Sequence, residues 1–557
     1  MKPPIRVIYQ SGTFLLFFVL TLVMYHPARE AGFVTDWLGW QQEYDAGSWK
    51  DVLNCFGYKG MQQVTQAVMY GLYRMFGTDG VRWYIVFSLL HAFNAWLLSG
   101  LFRRMFVRLG ITRATTISLV GALLFLLSPY QAEVLIWRAC VHYLLSAGFI
   151  LLCLHGVMNY LDTRKRVWLG IAALIFFISL FTLEIVLVTP ILAICLVFVW
   201  QRMAPETPVF RPVLPVALAL FPFWLVFFVM NKVVLGTWIG HYGADTHLHF
   251  QWIETLSRFL KYFVKHVFFA RYFRHEYKEL VFGFLEKPAV VITGIGICLA
   301  LAAYGIIFIK KTAARWIVAG MALAMFFISL APVVTLYMLT LLHGENDRYG
   351  YVASMFLGIT LALLFSFLKT QYRWLCWGIW ISISVFYLHR TVQWWAVALA
   401  QKQQVLESFD WYEAKDIIVL NLPENIEGIH TFRIIGDDLS ALKEDLALTK
   451  KKPFAGNIRE VAYYNAVTGT DGVSAEVDTT ANAIKVTFKQ WGNWWWRNGI
   501  GASDYENETW RVDFQGQFYY LYLKKELPPN TVFIYWDGKE FLELRIKNYE
   551  LRGENIY

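Results

Sequence analysis

Charge is scarce in this 557-residue chain: Asp, Glu, Lys and Arg make up only 16% of it. A water-soluble globule of this length has a polar surface to cover, and so small a charged fraction excludes that class. Cysteine is scarce too. The six cysteines (Cys55, Cys140, Cys153, Cys195, Cys298, Cys376) lie mostly inside apolar stretches, without metal-ligand or paired-loop spacing, so no disulfide framework is expected. Basic residues exceed acidic ones, 50 to 41, for a net charge of +9. The excess sits in short loops between apolar segments, which argues against a nucleic-acid partner and for membrane orientation. A cleavable leader is also lacking. Lys2 and Arg6 precede the first apolar run, but His26-Pro27 and Arg29-Glu30 follow it where small residues would be needed, so it reads as an uncleaved span.

What the chain has in abundance is apolar sequence: 57% hydrophobic residues and a mean hydropathy of +0.43. This fills residues 8 to about 395 and then stops. The shift divides the chain into a transmembrane domain, 1–400, and a soluble domain, 401–557. Stretches of about 20 apolar residues predict roughly eleven transmembrane helices. They fall near 8–26, 81–102, 115–130, 139–160, 167–182, 183–200, 213–235, 288–309, 315–337, 352–368 and 374–394. With the N-terminus cytoplasmic, Arg103, Arg104, Arg108 and Arg113 lie inside, as do Arg164, Lys165, Arg166, Lys310, Lys311, Arg315, Lys369 and Arg373. An odd number of spans then places residues 401–557 outside. A multi-pass protein of the bacterial inner membrane is expected, with its C-terminal domain periplasmic.

The outer loops read differently. The first, about 27–80, carries Asp36, Glu43, Asp45 and Asp51, and an amphipathic stretch, Gly60 to Phe76, in which Val64, Val68, Leu72 and Met75 fall at helical spacing. A second, about 236–287, is rich in His, Arg and aromatics and predicts one or two helices on the outer leaflet. Ionisable residues also stand at the outer span ends, where burial in hydrocarbon is costly and marks function. They are Glu133 and Arg138, His142 one turn on, Glu184 inside FFISLFTLEIVLVTP, Asp347-Arg348-Tyr349 in HGENDRYGYVAS, and His389-Arg390. Each carboxylate–arginine combination is equally readable as an ion pair holding helices together. Gathered on one face, they make a pocket for an anionic, partly lipidic substrate, since the planar arginine fork suits phosphate. His91 reads as a packing or hydrogen-bonding residue.

Five segments, in order, carry a resemblance. They are WYIVFSLLHAFNAWLLSGLFR (83–103), FLLSPYQAEVLIWRACVHYLLS (125–146), SLFTLEIVLVTP (179–190), ENDRYGYVAS (345–354) and the Arg390–Trp395 exit of the last span. Together they resemble the GT-C fold glycosyltransferases, and most nearly the O-mannosyltransferase group with tetratricopeptide repeats and its bacterial relatives. The likeness covers about residues 1–410. It implies an all-α, GT-C-like membrane bundle and an inverting transfer of a sugar from a polyprenyl-phosphate donor to a glycan, lipid or protein acceptor. Asp36, in FVTDWLGW, takes the place of the catalytic acid and would accept the acceptor's proton. Arg348, Arg138 and Arg390 would bind the donor phosphate, and Glu133, Glu184, His142, Tyr349 and Glu43 would position substrate. The group has metal-dependent and metal-independent members. Thr35 stands here where many have a second acid, so a divalent metal stays open as cofactor and no ligand set is assigned. A polyprenyl-diphosphate glycan ligase or polymerase is the nearest alternative. A lipid or solute transporter is the next, although neither internal repeats nor broken helices at the midplane are evident and the charges cluster at one face.

Beyond Phe409 the sequence predicts a mixed α/β domain, largely β. DIIVLNLPENIEGIHTFRI reads as strand–turn–strand, and IKVTF, WRVDFQGQFYYLYL, TVFIYW and FLELRI alternate like half-buried strands. The cluster Trp491, Trp494, Trp495, Trp496 and Trp510 reads as a sugar-stacking platform, a core or a membrane-resting surface.

Overall fold

A computed structural model describes residues 3–58, 60–202, 210–238, 251–294, 296, 314–334, 347–432, 440–450, 454–490, 493–495, 503–528 and 530–545. The chain forms two compact units: residues 1–30 with 43–392, and residues 31–42 with 393–557. The change in composition near residue 400 thus lies close to a structural boundary, but the short segment 31–42 clusters with the C-terminal residues.

The first unit is helical. In chain order its helices are α1 (Pro3–Tyr25), α2 (Asp36–Ala46, which runs across the boundary at 42), α3 (Gln63–Phe76), α4 (Gly80–Arg108), α5 (Ala114–Leu126), α6 (Ala132–Ile136) and α7 (Val141–Thr163). Then come α8 (Val167–Ser179), α9 (Thr189–Arg202), α10 (Phe210–Leu235), α11 (Trp252–Phe268), α12 (His275–Glu286), α13 (Ala314–Leu330), α14 (Tyr351–Ser366) and α15 (Thr370–Glu407, which runs across the boundary at 392). Among the described residues, six segments are long and apolar enough to cross a membrane: Ser11–Ala28, Gly80–Arg108, Arg138–Thr163, Glu184–Gln201, Pro212–Leu235 and Asp347–Ser366. Their apolarity and length fit a polytopic membrane protein. The span expected at 115–130 is broken: Ala114–Leu126 and Pro129–Ile136 meet at 53°. Pro129 lacks a backbone N–H and disfavours helical backbone at Ser128, which explains the break. Val167–Ser179 and Ala314–Leu330 are shorter apolar helices. The stretch expected at 288–309 falls largely outside the described residues. Residues 374–394 lie within α15, rich in Trp and Tyr and interrupted by His389 and Arg390.

Local chemistry explains where these helices begin and how closely they pack. Asp79 caps α4 by accepting hydrogen bonds from the Val81 and Arg82 amides. Gly121 and Gly358 let α5 and α14 touch backbone to backbone; a Cβ at Gly358 would lie 2.6 Å from the Gly121 carbonyl oxygen. Where the spacing pointed to Val64, Val68, Leu72 and Met75, α3 instead buries Thr65, Gln66, Met69, Tyr70 and Leu72. Polar partners account for the rotation: Thr65 donates to the Thr182 carbonyl (3.1 Å), and Tyr44 donates to Gln66 (2.7 Å). Helices α11 and α12 occupy the loop expected to form surface helices. α11 buries Thr255, Ser257, Tyr262, Lys265 and His266 while exposing Trp252, Ile253 and Phe268. A helix that turns its apolar side outward is suited to lipid on that side.

The second unit holds two sheets and one helix, α16 (Ala441–Lys450). The strands are β1 (Asp416–Ile426), β2 (Ile429–His430), β3 (Asn457–Ala466), β4 (Val473–Asp478), β5 (Ala483–Phe488), β6 (Asn493–Trp495), β7 (Tyr505–Glu506), β8 (Trp510–Gln515), β9 (Phe518–Leu523), β10 (Thr531–Trp536) and β11 (Phe541–Leu544). The mixed sheet runs β11-β10-β1-β3-β6, with β2 pairing β1. In it β1 lies parallel to both β10 and β3, with Ile417 opposite Val532 and Ile458. The second sheet, β4-β5-β9-β8-β7, is antiparallel throughout. The alternating runs form strands: IKVTF lies in β5, WRVDFQGQFYYLYL is the pair β8 and β9 joined at Gly516, TVFIYW is β10, and FLEL is β11. Trp510 is core, its indole N–H donating to Tyr505 (3.0 Å), while Trp491 and Trp496 lie outside the described residues.

Candidate functional site

The break after α5 carries α6 back beside the turn that precedes α14. This sets Glu133, on α6, against Arg348. The Arg348 amide donates to Glu133 Oε2 at 2.7 Å, and its guanidinium pairs with Oε1. Two hydrogen bonds to one carboxylate, one from backbone and one from side chain, hold residues 215 positions apart in the chain. The guanidinium carbon stands 5.1 Å from the Trp137 ring centre and 4.8 Å from that of Tyr349. Arg348 keeps 16% of its side-chain surface, the most exposed member of the group.

Its neighbour Asp347 is buried (1% exposed) between two cations. Lys265, from α11, reaches it at 2.7 Å, and Arg271, from the turn after α11, contacts its other oxygen. Arg271 is anchored further by Thr391 (2.7 Å) and by the Tyr272 hydroxyl (2.5 Å). The Tyr130 hydroxyl donates to the Lys265 carbonyl. Burial, followed by the nearby Arg271 guanidinium, pushes the Lys265 ammonium down to about 7, against the pull of Glu133; the Asp347 carboxylate at 2.7 Å also favours the charged form. Burial and the Lys265 charge push the adjacent His266 down to about 3, so its imidazole is neutral near pH 7. A Cβ at position 350 would lie 2.5 Å from His266 Nε2, so a larger residue there would displace the imidazole.

One helical turn deeper, His91 Nδ1 meets the Tyr351 hydroxyl (2.7 Å) and Nε2 the Leu126 carbonyl (3.2 Å). Asn94 donates to the Leu144 carbonyl (2.9 Å) and to Tyr351 (3.3 Å). This network locks α4, α5, α7 and α14 beneath the charged group, which fits a hydrogen-bonding role for His91.

The fold therefore brings Glu133, Arg348 and Tyr349 together. Tyr143 lies 6.3 Å from the Tyr349 ring, with His142 beside it at 4.6 Å. Arg138 is engaged elsewhere. It is fully buried over Phe87 and donates to the carbonyls of Leu135 (3.0 Å), Arg29 (3.1 Å) and Gly80 (3.2 Å). Three carbonyl partners give it a backbone-bracing role. Glu184 is half-buried and opens the 3₁₀ turn Glu184–Val188. It comes two residues after Thr182, whose hydroxyl meets Ser146 (3.1 Å). Arg390 is exposed on α15, as is Glu43 on α2. Asp36 is exposed as the first residue of α2 and belongs to the second unit.

Lys265, His266 and Arg271 escaped the sequence reading as individuals. A signal was present: Glu254, Arg258, Lys261 and Lys265 repeat at helical spacing and mark one charged stripe along α11. Among the described residues no group of three or more His, Cys, Asp or Glu side chains is placed to hold a metal ion. No family model matches the chain, and no curated protein matches it.

Proposed function

We propose that this protein is a membrane glycosyltransferase that moves a sugar from a polyprenyl-phosphate donor to an acceptor at the extracytoplasmic face, with inversion at the anomeric carbon. The observation that carries the reading is the charged group at the start of α14. Three cations (Lys265, Arg271, Arg348) meet two carboxylates (Glu133, Asp347) at the end of apolar helices. Among the described residues the cations of this group outnumber the carboxylates by one, and with Arg348 the most accessible member this suits a phosphate carried on a lipid tail. In transfer, the acceptor oxygen attacks the anomeric carbon and the bond to the phosphate oxygen breaks. The guanidinium of Arg348 stabilises the charge that gathers on the departing phosphate, and Glu133 holds that guanidinium in place. Asp36 takes the acceptor's proton, an assignment resting on the FVTDWLGW segment alone. The basic loops orient the chain with its N-terminus cytoplasmic and residues 401–557 periplasmic, in a bacterial inner membrane.

The test is release of labelled sugar from a panel of polyprenyl-phosphate donors by the purified full-length chain. Arg348→Gln and Asp36→Asn are each expected to lower turnover at least a hundredfold, with Asp36→Asn leaving the unfolding temperature unchanged. Turnover at the parent rate in both variants would overturn the reading.

A further inference from the structure

Three helices of the first unit begin with an arginine and no acid. Arg113 is the N-cap of α5, Arg315 is the second residue of α13, and Arg373 lies in the first turn of α15. None of these first turns contains Asp or Glu. A helix N-terminus already carries partial positive charge, so basic residues there oppose the macrodipole rather than complement it.

The three starts converge. Arg315 donates to the hydroxyl of Thr112, the residue before Arg113. Trp316 stacks on Phe367 with ring centres 4.1 Å apart, tying the start of α13 to the end of α14, just before α15 begins. Arg373 reaches back to the Ser366 carbonyl (3.5 Å) and to the Thr370 hydroxyl (2.9 Å). Only 8% of Arg373 is exposed, and its buried Nε–H has no hydrogen-bond acceptor among the described residues. Burial, then the charges of Arg113 and Arg315, weaken its hold on its proton. Among the described residues no ion pair reaches Arg113, Arg315 or Arg373. Asp162, at the end of α7, is taken by Arg104 (2.7 Å) and Arg108 (3.1 Å).

Three guanidinium groups at three helix starts, one of them buried with an unmet donor, form a receptor for a multiply charged anion. We propose that Arg113, Arg315 and Arg373 bind a phosphate group at the end of α14 opposite Arg348. This site is separate from the transfer site and does not depend on that reading. The phosphate comes either from an anionic phospholipid headgroup or from a free phosphate ion, and one experiment separates the two sources.

The purified full-length chain in neutral detergent is heated with added phosphatidylglycerol or cardiolipin, with phosphatidylcholine, or with millimolar inorganic phosphate. The expected result is a rise of about 3 °C in unfolding temperature with the anionic lipids and none with phosphatidylcholine. A rise with inorganic phosphate alone supports the site and assigns it to the free ion. Arg373→Gln is expected to abolish the rise. Arg113→Gln, at an exposed position where folding is not at risk, is expected to reduce it by at least half. Arg166→Gln, an exposed arginine on another basic loop, is expected to leave it intact. An equal rise in all three variants reports general attraction of the basic loops for anions, and overturns the site. So does the lack of a rise with every phosphate source.

Discussion

The helical unit and the strand-rich unit both bury charge, but they balance it differently. In the strand-rich unit the buried charges among the described residues are answered from within. Lys402 pairs with Asp445 at 2.7 Å, both almost fully buried. Glu460 is met by the Ser440 hydroxyl (2.6 Å), the Leu442 amide (3.0 Å) and the Tyr463 hydroxyl, so it anchors the start of α16 to β3. In such sets cation meets carboxylate one to one, or a carboxylate is met by neutral donors, and the role is structural. In the helical unit the sums do not close among the described residues. Three cations face two carboxylates at the start of α14, and three arginines without an ion-pair partner among the described residues gather near its end. The sixteen residues of α14 separate the two groups by roughly 24 Å at 1.5 Å per residue. Burying charge is costly unless it is matched, and it is this imbalance among the described residues, with Arg373 the buried member of the second group, that motivates the two proposed anion sites.

That contrast can be broken most severely at Asp347. Asp347→Asn leaves Lys265 and Arg271 buried without their shared carboxylate, and is expected to cost about 3–5 kcal/mol. Thermal unfolding in detergent measures this, and Asp347→Asn with Lys265→Met is expected to recover part of the loss. A variant that unfolds within a degree of the parent would show that the carboxylate anchors neither cation.

A closed pair is expected to show itself through pH instead. Burial raises the Asp445 carboxyl to about 6, against the pull of Lys402. Its pKa is therefore higher folded than unfolded, and the fold prefers the protonated form. The resulting stability is present in full below about pH 4 and is lost as pH rises through about 6. At 1.4 kcal/mol per unit the total is about 3 kcal/mol. Hydrogen exchange of the β1 and β3 amides across this range is expected to follow that slope in the parent. In Asp445→Asn the slope should be flat; an unchanged slope would assign it to other groups.

The smallest effect is expected where charge is accessible. Arg104 and Asp162 are each about a quarter to a third exposed. Arg104→Ala should cost at most about 1 kcal/mol, and less in high salt. A loss comparable to that at Asp347 would erase the distinction between the buried and the solvated pairs.

Local pattern and composition account for much of the architecture. Apolar length marked the long helices and the buried strand β1, and alternation marked β5, β8, β9, β10 and β11, because burial of one face leaves a period in the sequence. Basic loops and apolar flanks also made Glu133, Arg348 and Tyr349 legible as candidates, since charge beside hydrocarbon stands out. Only the tertiary structure decided their partners. Pairing between residues 133 and 348 depends on a 53° break and on two facing glycines, and neither leaves a signal at the carboxylate or the guanidinium themselves. The same is true of Arg138, drawn to backbone carbonyls, of Lys265 and Arg271, brought in by a surface helix, and of α3, whose buried face follows Thr65 and Gln66. Sequence determines which groups need a partner; the packing of helices distant in the chain determines which partner each one meets.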